Sequence, residues 1–167
     1  MEPDHYRVDD KVAIVTGAGQ GIGKAISLAL AEAGADITVV ARRPENIRET
    51  AAEIQKLGRK ALAIPTDVTQ EDQVQAMVEK TLAELGHIDI LVNNVGTEIS
   101  KPIIATGRKL PGWQWVADDW NEPLTLQDWH QVIETNLTSA FICAQAVGPY
   151  LVRQQKGKVI NISSIYG

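Results

Sequence analysis

KVAIVTGAGQGIG, Lys11 to Gly23, is an apolar strand-forming run that breaks into a glycine-rich turn. The residues after Gly21 have helical periodicity, with Ile22, Ile26, Ala29, Leu30 and Ala33 on one side and Gly34 as the stop. A strand that passes through glycines into a helix predicts a βα unit whose turn holds a dinucleotide pyrophosphate. A side chain at Gly17, Gly21 or Gly23 would block the tight turn, the approach of the phosphates, or the packing of helix on strand. The helix opening near Gly21 would aim free N–H groups and its positive dipole end at the phosphates.

The rest of the chain repeats the rhythm. Asp36 to Ala41 (DITVVA) reads as a second strand, and Pro44 opens a helix that Gly58 ends. Lys60 to Ile64 reads as a third strand, Thr69 to Leu85 as a helix stopped by Gly86, and Ile88 to Val92 as a fourth strand. Leu126 to about Val152 reads as one long helix with a bend near Gly148-Pro149, because proline breaks the backbone ladder. Lys158 to Ile162 is a fifth strand. Alternating strands and helices predict an α/β fold with a parallel sheet covered on both faces, of the doubly wound Rossmann type. Residues 1–10 read as an N-terminal tail and residues 11–167 as one nucleotide-binding domain.

Residues 97–125 interrupt the rhythm with a long connection that carries Trp113, Trp115 and Trp120, with Trp129 just beyond. Connections of that length are usually functional or disordered. Tryptophans are costly to leave in water, so a local mini-core, a substrate lid and an oligomer contact are all open readings.

Composition excludes several classes. The net charge is −5, and no basic stripe with interleaved aromatics is present, so nucleic acid is not an expected partner. No apolar run approaches the roughly 18 residues of a membrane span, and the acidic start Met1-Glu2-Pro3-Asp4 does not read as a secretory signal. A lone cysteine, Cys143, gives no disulfide framework and fits a reducing compartment, with the cytoplasm as the expected location. His5, His87 and His130 lack metal-ligand spacing, so no metal is expected. Two glycosylation sequons begin at Asn136 and Asn161, in elements expected to be buried.

The choice of nucleotide turns on the second strand. An acidic residue about 20 positions after the glycines would hold an NAD ribose 2′-hydroxyl. Asp36 has nearly that count but lies at the amino end of its strand, whereas ligands sit at the carboxyl ends. The residue at the carboxyl end is Ala41, followed by Arg42 and Arg43. A small side chain leaves room for a 2′-phosphate, and a guanidinium can grip it with two bonds. NADP is therefore expected over NAD.

Five motifs in order resemble those of the short-chain dehydrogenase/reductase family. Thr16-Gly17-Ala18-Gly19-Gln20-Gly21-Ile22-Gly23 matches its TGxxxGIG turn, and Asp67-Val68 its adenine-contacting pair. Asn93-Asn94-Val95-Gly96 matches NNAG, with valine in place of alanine. Asn136 matches the helix asparagine of the catalytic tetrad, and Ser164 the serine of the fifth strand. The resemblance implies strand order 3-2-1-4-5 and hydride transfer between a nicotinamide and a small carbonyl or alcohol substrate. It also implies that Ser164 bonds the substrate oxygen, that Asn136 positions a water in a proton relay, and that the protein is a homo-oligomer.

One part of the family pattern has no match. The family's proton donor is the tyrosine of a YxxxK motif, well beyond the serine. Tyr166 is too close to Ser164 to be that residue, and neither Tyr6 nor Tyr150 has a lysine one turn later. The sequence thus reads as a family domain that stops after strand five, which would leave an apolar strand at an open edge. The expected protein is an NADP-dependent oxidoreductase whose tyrosine and lysine lie in further sequence. A binding module without turnover, or a scaffold half completed by another chain, are the alternatives.

Overall fold

The structure is a computed structural model that describes residues 6–107 and 121–164. Its elements are β1 (Val12–Thr16), α1 (Gly21–Glu32), β2 (Asp36–Ala41), α2 (Pro44–Lys56), β3 (Ala61–Pro65), α3 (Glu71–Leu85) and β4 (Ile90–Asn93). They continue as α4 (Leu126–Ile133), α5 (Ser139–Arg153) and β5 (Lys158–Asn161), with a π-helical turn, Glu134–Thr138, joining α4 to α5. All strands pair in parallel, in the order β3-β2-β1-β4-β5 of the expected Rossmann sheet.

β1 explains why the strands are apolar along their whole length. Successive side chains point to opposite faces, and both faces are covered. Ala13 and Val15 enter one core with Ile37, Val39, Ile47 and Ile54, under α1 and α2. Ile14 enters the other with Val40, Met77, Leu91 and Val147, under α3 and α5. Cys143 is buried in that second core, and burial pushes its thiol up to about 12. β5 is different. It pairs only with β4 among the described residues, and Val159 and Ile160 are each 43% exposed.

Several boundaries differ from the expectation for local reasons. α3 begins at Glu71 because Thr69 turns back on Asp67, whose Oδ1 accepts from Thr69 N at 3.1 Å and Oγ1 at 2.8 Å. The long helix runs through Pro149 as expected, and a π-helical turn that the sequence did not suggest interrupts it at Glu134–Thr138. Pro149 and Gln145, whose carbonyl loses its partner, are both exposed, so water can serve the freed carbonyl. Asn136 and Asn161 are exposed, not buried, although both amides are engaged by neighbours. Of the tail, Arg7 donates to Glu32 O at 3.2 Å and Val8 N to Ala33 O at 2.9 Å, so it is fastened to the end of α1. Trp113, Trp115, Trp120, His5 and Tyr166 lie outside the described residues.

The amino edge of the sheet is held by a buried carboxylate. Asp89 Oδ2 accepts from Val12 N at 3.1 Å and lies 3.0 Å from His87 Nε2, while Oδ1 pairs with Lys11 at 3.7 Å. Its carbonyl accepts from Lys158 N at 2.8 Å, so one residue joins β1, β4 and β5. Removing it would strand a buried N–H and a cation. Asp89→Ala is expected to lower unfolding free energy by about 2 kcal/mol, read as a fall in the urea midpoint with an unchanged slope.

Candidate functional site

A cleft of about 850 Å³ opens at the carboxyl ends of the strands. Its floor is the turn between β1 and α1. Gly17 has φ +66°, and a Cβ there would lie 2.9 Å from Asn94 Nδ2. A Cβ on Gly23 would collide with the Gly17 carbonyl oxygen. Both positions therefore require glycine for α1 to pack on β1. The N-cap residue of α1, Gln20, makes no side-chain cap, so the first-turn N–H groups carry no side-chain acceptor. Gly19, Gly21 and Ile22 also line the cleft. A Cβ on Gly21 would meet nothing within 4 Å, so there glycine serves the positive φ of +57° and not a steric limit. Uncapped N–H groups beside a turn that needs glycine at Gly17 and Gly23 fit a dinucleotide pyrophosphate.

Beyond the turn, the cleft wall is built by the loops after β2 and β3. Ala41, Arg42 and Arg43 line it at the end of β2. Asp36 is at the opposite end of that strand, paired with Arg59 at 2.8 Å and accepting from Lys60 N at 2.9 Å. Asp67 and Val68 follow β3 in the wall. Val68 is sunk into the second core, and Asp67 is oriented by Thr69 and by donating its N–H to Gln73 Oε1 at 2.8 Å.

The loop after β4 supplies Asn94, Val95 and Gly96. Thr16, Ala18 and Asn93 of the motifs are buried and do not line the cleft. Thr16 Oγ1 donates to Val92 O at 3.3 Å and accepts from Asn94 N at 3.0 Å and Val95 N at 3.4 Å. Asn94 Nδ2 donates to Thr16 O at 3.1 Å and Gly17 O at 3.4 Å. Asn93 Nδ2 donates to Asn161 Oδ1 at 2.9 Å and ties β4 to β5. Asn136 sits in the π-helical turn with both ends of its amide committed: Nδ2 donates to Thr97 O at 2.9 Å, and Oδ1 accepts from Thr97 N at 2.8 Å. Ser164 is exposed beyond the end of β5, and neither it nor Asn136 lines the cleft.

The far wall contains residues that the motifs do not mark. Gln127, His130, Gln131 and Glu134 face the cleft from α4 and its π-helical turn. Their spacing of three, one and three is helical, so a polar stripe was legible there. α4 begins at a capping box in which Thr125 and Asp128 exchange bonds. The Thr125 backbone and hydroxyl donors, with Lys101 at 3.0 Å, pull the Asp128 carboxyl down to about 2. Leu124 N donates to Pro102 O at 2.7 Å, so the long connection leaves and returns at one place. Trp129, at 53% exposed, is not part of a core. Among the described residues no group of His, Cys, Asp and Glu is placed to hold a metal, and no helix is long and apolar enough to cross a membrane.

The cradle gives a direct test. Gly23→Ala forces a methyl against the Gly17 carbonyl, an overpacking that costs roughly 1–3 kcal/mol. The variant is expected to bind dinucleotide at least about tenfold more weakly, measured by quenching of protein fluorescence. Unchanged affinity in a folded variant would contradict the cradle.

Comparison with known proteins agrees with this geometry. The family profile for short chain dehydrogenases matches residues 11–167. A 3-oxoacyl-(acyl-carrier-protein) reductase of Synechocystis is 36% identical over 158 residues, covering 94% of this chain and 57% of the relative. A solved 7α-hydroxysteroid dehydrogenase, in complex with NADH and 7-oxo glycochenodeoxycholic acid, superposes with a TM-score of 0.83 at 33% identity over 99% of this chain and 57% of that one. An NAD⁺-bound xylitol dehydrogenase gives 0.78 at 30% identity over 95% of this chain and 55% of that one. The sequence thus spans somewhat more than half the length of these relatives. The chain belongs to the short-chain dehydrogenase family.

Proposed function

We propose that the protein is an NADP-dependent oxidoreductase that moves a hydride between the nicotinamide and a carbonyl or secondary alcohol of a small molecule. The observation that carries the cofactor choice is the end of β2. Where an acidic residue would hold a ribose 2′-hydroxyl, Ala41 leaves space and Arg42 and Arg43 follow it in the cleft wall. Asp36, the nearby acid, is spent on Arg59 and Lys60 at the other edge of the sheet.

Bound dinucleotide supplies the carbon that gives or takes the hydride. The chain's own residues bind and orient it. The glycine turn and the first turn of α1 take the pyrophosphate, Asp67 and Val68 the adenine, and Arg42 with Arg43 the 2′-phosphate. Asn94, Val95 and Gly96 continue the binding wall beyond the turn. Ser164 is assigned the substrate oxygen, where negative charge builds in the transition state. Asn136 fixes the loop at Thr97 against the π-helical turn, a kind of irregularity frequent at functional sites.

No YxxxK motif occurs in residues 1–167. We assign the family's tyrosine and lysine to the part of the relatives' length that this sequence does not span. Leu126, Trp129, Leu137 and Phe141 are more than half exposed along one run of helix, which supports self-association as a homo-oligomer. A single buried cysteine supports a reducing setting, the cytoplasm.

Arg42→Asp separates the two cofactors. Replacing a guanidinium by a carboxylate beside a phosphate is expected to weaken NADPH binding at least about tenfold and to spare NADH. Ligand fluorescence titration reads both constants. Equal weakening of both would remove the basis for the 2′-phosphate assignment.

A further inference from the structure

We propose that the hollow between the last turns of α3 and α5 is a second binding site, for a small carboxylic acid with an apolar body. It lies at the end of the molecule away from the glycine turn and is independent of the cofactor reading above. The cavity measures about 260 Å³. Leu82, Ile88 and Tyr150 form its apolar lining, and His87, Arg153 and Gln154 its polar one. An apolar cavity of roughly 150 Å³ already takes a benzene ring, so a one-ring acid fits the space.

The walls are fixed by contacts across separate elements. Gln154 spends both N–H groups of its amide, on Ile88 O at 2.7 Å and Lys156 O at 2.9 Å, which pins the end of α5 to the approach to β4. His87 Nε2 lies 3.0 Å from both Asp10 O and Asp89 Oδ2, so its ring is held by that nitrogen. Ile88 is buried, and Leu82 and Tyr150 pack on the second core while staying half-buried. A ligand here would therefore meet a preformed surface.

Arg153 is the group that selects the ligand. Its guanidinium stands 5.6 Å over the Tyr150 ring, a cation–π contact that holds the planar fork beside the apolar wall. Lys11 and His87 are already spent on Asp89. Arg153 has no acid partner among the described residues, and neither have Lys156 and Lys158, which follow it in the chain. With the Gln154 donors committed, the guanidinium is the donor left for an acid. The carbonyl ends of α3 and α5 meet here and favour a cation, but that field is weak at an exposed site and Arg153, in the last turn of α5, already answers it. Two charge-assisted bonds from one guanidinium are the stronger effect. A carboxylate would take both, with its carbon body on Leu82, Ile88 and Tyr150. An amine would meet Arg153 as a like charge.

The test titrates phenylacetate into the isotope-labelled full chain by NMR, with phenylacetamide as its neutral isostere and phenethylamine as the cation. Phenylacetate is expected to shift the amides of Gly86–Ile88 and Tyr150–Gln154 and to bind about tenfold more tightly than phenylacetamide. Saturating NADPH is expected to leave that binding unchanged. Arg153→Gln, at an exposed position, is expected to bring the acid down to the affinity of the amide, with the amide itself changed by less than about twofold. Equal loss of both would make Arg153 a wall residue only and overturn the inference. Acid binding that survives in the variant would overturn it as well. Tighter binding of phenethylamine, displacement of the acid by NADPH, or no shift at these amides would each do the same.

Discussion

The hydroxyl of Thr16 is the point on which the site depends. It is buried at the last residue of β1, where the chain leaves the sheet and enters the glycine turn. It takes two backbone N–H groups from the loop after β4 and gives its proton to Val92 O. Asn94 returns the bond, through its side chain, to the carbonyls of Thr16 and Gly17. Each such bond contributes about 1 kcal/mol net, but leaving a buried N–H unpaired costs roughly 1–3 kcal/mol. The set is therefore a strong restraint on geometry even though its net stabilisation is modest. It fixes the two loops that line the cleft relative to each other.

The two edges of the sheet divide the work. At the amino edge, charged groups are buried or paired with one another: Asp89 with Val12 N, Lys11 and His87, and Asp36 with Arg59 and Lys60 N. These contacts close the sheet and offer little to a ligand. At the carboxyl edge, helices α1 and α2 begin without side-chain caps, and Arg42 and Arg43 face the cleft. An acid placed at one end of β2 is structural, and the residues at the other end face the cleft.

Much of this was legible in the sequence. The glycine turn, the alternation of apolar runs with helical stretches and the polarity of β2 follow from period and steric need alone. What was not legible depends on neighbours distant in sequence. Thr16 reads as the first letter of a binding motif, yet its hydroxyl is spent on residues 76–79 positions away. The π-helical turn has no local proline or glycine to announce it, and it coincides with the Asn136 amide reaching across to Thr97. The helix reads through Pro149 in the sequence, and the residue's solvent-facing position lets the helix continue there. Asn46 carried no signal, because its place in the cleft wall beside Gly19 arises only when α2 packs against the glycine turn.

The most direct test of the account is amide hydrogen exchange across the chain with and without NADPH. The account predicts slowed exchange in the glycine turn and first turn of α1, in the Arg42–Asn46 corner and in the Thr66–Thr69 loop, with the amino edge around Asp89 unchanged. Binding of NADPH that leaves the glycine turn and the Arg42–Asn46 corner unprotected would contradict it.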